Sequence, residues 1–220
     1  ATQVQALATE HKGFSRWLDR NVKTQKQTGY AGVTLSLKPA GVAPGDVTDQ
    51  QLETIADLAD RFSFGEIRTT HNQNIVLADV LQSELFNLWQ LAKPAGLATP
   101  NIGTINDMIC CPGGDYCSLA NAKSIPVAEA IQRKFDDLDY VYDLGDLELN
   151  ISGCMNACGH HHIGHIGILG VDKKGEEWYQ IQLGGSANKD AALGKVLGPS
   201  LSRDAVVDSI ETLLDVYVEN

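Results

Sequence analysis

The spacing of apolar positions changes several times along the chain, and each change predicts an element. Between residues 30 and 37, Val33, Leu35 and Leu37 alternate with small polar residues, the two-residue period of a half-buried strand. Pro39, Gly41, Pro44 and Gly45 end it. From residue 48 the period becomes helical, with Leu52, Ile55, Leu58, Ala59 and Phe62 on one face. Thr48 and Gln51 supply a capping box, in which each side chain satisfies a backbone N–H at the helix start. Gly65 closes that helix. Two strands follow, over 66–70 and 75–80, joined at residues 71–74, where asparagine tolerates positive φ and bonds its own backbone. Leu81, Leu85, Leu88, Trp89 and Ala92 predict a second amphipathic helix, stopped by Pro94 and Gly96.

The order strand, helix, strand, strand, helix is most of a ferredoxin-like αβ sandwich. The fold class expected is therefore α+β, with a ferredoxin-like lobe over 29–95. Residues 1–28 are polar apart from Phe14, Trp17 and Leu18, and read as a linker or a docking helix. Small and turn-forming residues over 95–106 mark a boundary, and 96–220 is expected to form a second α/β lobe. In that lobe a helix is expected over 118–135, kinked or restarted at Pro126. A helix opening just after Cys117 would aim its N–H groups and dipole at thiolates. Strands are expected over 147–151, 163–171 and 177–183, with a turn at 172–175. A final amphipathic helix over 204–218 would be capped by Ser202.

Composition adds a few exclusions. With 43% hydrophobic and 20% charged residues, the 220-residue chain has the make-up of an ordinary globular protein. It contains no run of 18 apolar residues, so no membrane span is expected, and its first residues lack the basic and apolar regions of a signal peptide. A cytoplasmic location with reduced thiols is the default. A formal charge of −11 argues against a nucleic-acid partner, because phosphate binding needs a basic patch.

The chemistry is concentrated in cysteines. Four of the five stand in two glycine-flanked clusters, CPGGDYC at 111–117 and GCMNACG at 153–159. Soft thiolates in this arrangement suggest a metal or iron–sulfur site. Iron–sulfur leads on spacing. Zinc, which usually takes Cys-x2–4-Cys pairs, and buried unmetallated thiols stay open. Cys110 lies outside the pattern and reads as a packed thiol.

Cys111-x5-Cys117 followed by Ser-Gly-Cys154-x3-Cys158-Gly resembles the cluster signature of siroheme-dependent nitrite and sulfite reductases. The stretches 66–74, 107–117 and 182–186 extend the resemblance, which covers roughly residues 28–218. It implies the C-terminal half of such an enzyme, with the second lobe binding a [4Fe–4S] cluster and siroheme. Cys111, Cys117, Cys154 and Cys158 would ligate the cluster, and Cys158 would also reach the siroheme iron. Asn156, Gly153, Gly159 and His160 would lie near the cofactors, as would Arg68, Gln73 and Asn74 more weakly. His161, His162 and His165 would be hydrogen-bonding neighbours. The reaction implied is six-electron reduction of sulfite to sulfide or nitrite to ammonia. Its partners would be the enzyme's N-terminal half and an electron donor, a ferredoxin or a flavoprotein reductase.

Anion reduction needs cations over the open iron. Lys123, Lys173 and Lys174 offer no convincing set, so no catalytic residue is expected in this chain and it should be inactive alone. The alternatives are a small single-repeat siroheme reductase, an iron–sulfur electron-transfer module and a zinc-stabilised structural domain.

Overall fold

The computed structural model describes residues 2–219. The chain divides into two compact units. The first runs to Ile102, apart from Ala40–Pro44, which group with the second unit from Gly103 onward.

The first unit opens with helices α1 (Thr2–Glu10) and α2 (Lys12–Asn21). Strands β1 (Val22–Thr24) and β2 (Tyr30–Leu35), helix α3 (Asp49–Phe62), strands β3 (Arg68–Thr69) and β4 (Ile75–Leu81), and helix α4 (Leu85–Ala92) follow. The four strands form an antiparallel sheet in the order β1-β2-β4-β3. Alternation along β2 buries Ala31, Val33 and Leu35 on one face, as the two-residue period requires. The helical stripe of α3 buries Ile55, Leu58, Ala59 and Phe62 in the same core. Its capping box is complete: Thr48 Oγ1 accepts from Gln51 N–H at 3.1 Å, and Gln51 Oε1 accepts from Thr48 N–H at 2.9 Å.

Three local expectations need correction. The strand expected over 66–70 is only the two-residue β3, because the chain leaves α3 through Phe64 (φ 54°) and Gly65 (φ 72°) and reaches the sheet late. Leu81 ends β4 and does not open α4; a single 3₁₀ turn, Gln82–Glu84, lies between them. The first 28 residues are not a bare linker. Phe14 and Trp17 are fully buried in the unit's core. Phe14 stands 5.0 Å from Phe86, 5.5 Å from Trp89 and 6.0 Å from Trp17, ring centre to ring centre. Trp17→Ala is expected to cost the first unit about 3–5 kcal/mol, the range for emptying a buried aromatic site, measured by urea denaturation.

The second unit holds strand β5 (Ile109–Cys110), helices α5 (Gly113–Tyr116), α6 (Ile125–Lys134) and α7 (Leu138–Asp143), strands β6 (Leu149–Ser152), β7 (Ile166–Lys173), β8 (Glu176–Leu183) and β9 (Lys195–Val196), and helix α8 (Arg203–Glu219). Its sheet order is β5-β6-β7-β8-β9; β5, β6 and β7 are parallel, and β8 and β9 are antiparallel. All four residues of β6 are buried, as befits a parallel strand covered on both faces. Val127 and Ile131 of α6 and Val206, Ile210 and Leu214 of α8 share one core with Ile151 and Ile168. The β7–β8 hairpin turns at Lys174 (φ 60°) and Gly175 (φ 86°), the two positive-φ positions of a tight hairpin. Ser202 Oγ accepts from Ala205 N–H at 3.4 Å at the start of α8.

The helix expected over 118–135 is shorter than its sequence pattern. Residues 117–124 are not helical, and α6 starts at Ile125 with Pro126 in its first turn, where proline is tolerated. The N–H groups of Asn121 and Ala122 bond to Gly153 O instead of a helical ladder. No helix opens at Cys117, so a dipole does not act on the thiolates from there.

Candidate cluster-binding site

Strand pairing brings the two cysteine loops together. Cys110 of β5 is in register with Ile151 of β6, and both strands run in the same direction. Their C-terminal ends therefore release residues 111–117 and 153–159 at one end of the sheet. Cys111 N–H extends the ladder to Ile151 O at 3.1 Å. Gly153 N–H donates to Cys111 Sγ at 3.0 Å. Gly153 O accepts from Asn121 N–H at 2.9 Å and Ala122 N–H at 3.0 Å, and Gly114 N–H reaches Ala122 O at 2.9 Å. The loops are thus cross-bonded to each other.

The second loop is a pair of tight turns. Ala157 (φ 56°) donates to Cys154 O at 3.1 Å, and His160 (φ 53°) donates to Ala157 O at 2.8 Å. Gly159 N–H bonds Ser152 Oγ at 3.1 Å. Two glycines are required by close approach and not by φ. A Cβ on Gly153 would stand 2.6 Å from Ala122 O, and one on Gly159 would stand 1.9 Å from Ile151 O.

Cys111 and Cys154 are buried, Cys117 is half-buried and Cys158 is exposed; all are free thiols. Cys110 is buried in the core on the other side of the pleat, with its thiol donating to Cys111 O at 3.3 Å. Among the described residues, no three His, Cys, Asp or Glu side chains stand around a point that would hold a single metal ion. Four soft sulfur donors on two interlocked, glycine-cradled loops, one sulfur already accepting an amide N–H, fit an iron–sulfur group. The apolar side chains of Tyr116, Leu119 and Met155, next to these cysteines in sequence, are exposed.

The other candidates are dispersed. Asn156 and His160 are exposed on the second loop. After Cys158 the chain runs back along β6: His160 O accepts from Asn150 Nδ2 at 3.0 Å, and His165 Nδ1 accepts from Glu148 N–H at 3.0 Å. His165 therefore lies at the end of the sheet away from the cysteines. Lys123 pairs with Asp115 at 3.4 Å, and Lys173 lies over the Trp178 ring at 4.7 Å. In the first unit, exposed Arg68 pairs with Glu66 at 2.6 Å. Gln73 turns the chain with φ 57°. Buried Asn74 accepts from Leu37 N–H at 3.1 Å through Oδ1.

Two residues gain importance that the sequence pattern does not reveal. Ser124 Oγ lies 3.4 Å from Cys111 Sγ, and Tyr179 O–H donates to Lys123 O at 2.8 Å. Ser124 falls inside the helix expected over 118–135, where nothing singles it out, and Tyr179 is 56 residues from its partner.

His161 is buried, its Nδ1 has no hydrogen-bond partner, and burial first, then His162, holds its pKa below 6.5. The unfolded chain then binds more protons than the folded one between the folded pKa and about 6.5. Stability is expected to be fully present above that range and to fall as pH drops through it. His161→Gln should flatten this slope in urea titrations carried downward from about pH 6.5, and an unchanged slope would remove His161 as its source.

Two family profiles divide the chain. The nitrite/sulfite reductase ferredoxin-like half domain matches residues 23–95, and the nitrite and sulphite reductase 4Fe-4S domain matches residues 103–220. Fold and profiles thus agree on two sheet-bearing parts, each matching one domain of the same family. The chain belongs to the nitrite and sulphite reductase family. It is 28% identical over 195 residues to sulfite reductase [ferredoxin] 2 of Mycolicibacterium paratuberculosis, covering 83% of this chain and 35% of that protein. It is 30% identical over 203 residues to ferredoxin–nitrite reductase of Synechococcus elongatus, covering 88% and 37%. The Mycobacterium tuberculosis NirA structure superposes with a TM-score of 0.76 at 26% identity, over 91% of this chain and 37% of that one. The chain therefore spans little more than a third of these relatives. No helix among the described residues is long and apolar enough to cross a membrane.

Proposed function

We propose that this chain is the cluster-bearing C-terminal half of a siroheme-dependent nitrite or sulfite reductase. The observation that carries the reading is the interlocking of the two cysteine loops at the ends of adjacent parallel strands. Cys111, Cys117, Cys154 and Cys158 would hold a [4Fe–4S] cluster, with exposed Cys158 also facing the siroheme. Bound together, these groups would supply the electrons for reduction of sulfite or nitrite.

The chain's own part is to hold the sulfurs. Cross-bonds through Gly153 fix one loop against the other, and the glycine cradle keeps side-chain carbon out of the space between them. Exposed Tyr116, Leu119 and Met155 would be covered by cofactor and by the N-terminal half. Asn156, Gly153, Gly159 and His160 would border the cofactors, with Arg68, Gln73 and Asn74 as weaker contacts. The cations that bind the anion would come from the N-terminal half. The electron donor would be a ferredoxin or a flavoprotein reductase, and the location cytoplasmic.

The test is reduction of sulfite and nitrite with a viologen donor. The full-length enzyme is expected to turn over and its Cys158→Ser variant to lose more than the roughly 10–100-fold that mutating a ligand's hydrogen-bonding neighbour costs. The chain alone is expected to be silent. Sustained turnover by the chain alone would overturn the half-enzyme reading.

A further inference from the structure

Ser124 immediately precedes α6, at the position where a serine hydroxyl ordinarily accepts from the first N–H groups of a helix. Its backbone already lies in the helical region (φ −94°, ψ −42°), and its side chain makes no capping bond. The hydroxyl is fully buried and points elsewhere, to Cys111 Sγ at 3.4 Å. Gly153 N–H reaches the same sulfur at 3.0 Å. Cys111 thus has two hydrogen-bonding neighbours. Among the described residues, no hydrogen bond reaches the sulfurs of Cys117, Cys154 or Cys158.

The serine is held from two sides. Gly113 and Gly153 press against it: a Cβ on either would come within 2.6 Å and 3.0 Å of Ser124 Oγ. From the sheet, Tyr179 of β8 is fully buried and donates its hydroxyl to Lys123 O at 2.8 Å. The Glu177 carboxylate is a second, longer acceptor for that hydroxyl at 3.3 Å, and burial first, then Glu177, pushes its pKa up from the ordinary tyrosine value.

We infer that Ser124 is a positioning residue that donates O–H···S to the Cys111 thiolate and raises the reduction potential of the group bound there, with Tyr179 as the strut that fixes it. Resting on the cluster reading above, the inference follows from charge. Reduction adds negative charge to the cluster, and a hydrogen bond onto a ligand sulfur stabilises the more negative state. Neighbours that hydrogen-bond a ligand tune a metal site in this way without touching the metal.

The test uses the full-length, cluster-loaded protein and its Ser124→Ala, Ser124→Thr and Tyr179→Phe variants. Iron and sulfide are assayed, and the midpoint potential is read by dye-mediated titration followed by EPR. Ser124→Ala at full iron content should shift to a more negative potential. Ser124→Thr, which keeps the hydroxyl, should restore the wild-type value, and Tyr179→Phe should shift in the same direction by less. An unchanged potential in Ser124→Ala at full iron overturns the inference, as does an equal shift in Ser124→Thr. Should Ser124→Ala fail to load, Tyr179→Phe decides: a negative shift at full iron supports the strut, and no shift overturns it. A wild-type protein that takes up no iron fails the cluster reading itself, and the inference falls with it.

Discussion

Gly159→Ala is expected to destabilise the second unit by about 3 kcal/mol or more and to abolish cluster uptake, well beyond an ordinary surface change. The added Cβ would lie 1.9 Å from Ile151 O and 2.7 Å from Ile151 C, both main-chain atoms that no rotamer change can move aside. That carbonyl also accepts from Cys111 N–H at 3.1 Å. One methyl therefore disturbs both loops: it pushes the turn carrying Cys158 outward and breaks the bond that seats Cys111. Gly198→Ala is the matched control, since a Cβ there meets nothing within 4 Å; it should stay within about 0.5 kcal/mol of the parent. Urea denaturation with iron assay reads both. A Gly159→Ala protein with parental stability and full iron would show that the loop packing carries no such constraint.

The second large effect separates two adjacent cysteines. Cys111→Ser is expected to reduce bound iron to background, because its sulfur lies on the interlocked loops and accepts from Gly153 N–H. Cys110→Ser is expected to keep full iron and to cost about 1–2 kcal/mol, the scale for placing a hydroxyl in a packed site. It is buried in the core that also holds Ile105, Met108 and Ile151. Neighbours on a strand point to opposite faces, so the contrast between 110 and 111 reads the register of β5 directly. Equal iron loss in both variants would mean that the cluster takes a different set of sulfurs.

Much of the first unit was legible because its signals are short in range. The Thr48–Gln51 box spans three residues, and the alternation of β2 spans six. The helices of the first 21 residues carried a signal too, in the three- and four-residue spacing of Val4, Leu7, Ala8, Phe14, Trp17 and Leu18. A polar average hid it, since only one narrow stripe is buried.

Around the cysteines the pattern was legible and its support was not. Cys-x5-Cys and Cys-x3-Cys are local spacings. The bonds that make residues 117–124 non-helical run from Asn121 and Ala122 to Gly153, and from Lys123 to Tyr179. Such partners lie 31 or more residues away, and helix propensity knows nothing of them. Asn74 is similar: a turn signal placed it, but its side chain is spent on Leu37 N–H, 37 residues upstream. The histidines after Cys158 illustrate the opposite limit. Adjacent in sequence to a candidate ligand, they are carried along β6 until His165 reaches Glu148.

Cys111, Cys117, Cys154 and Cys158 are proposed to hold an iron–sulfur cluster. Anaerobic reconstitution with ferrous iron and sulfide, followed by iron, sulfide and zinc assay of the desalted protein, tests it most directly. About four iron and four sulfide per chain are expected, with broad charge-transfer absorption near about 400 nm, all lost in Cys154→Ser. One tightly bound zinc with no iron, or no metal at all, would mean that these cysteines do not hold a cluster.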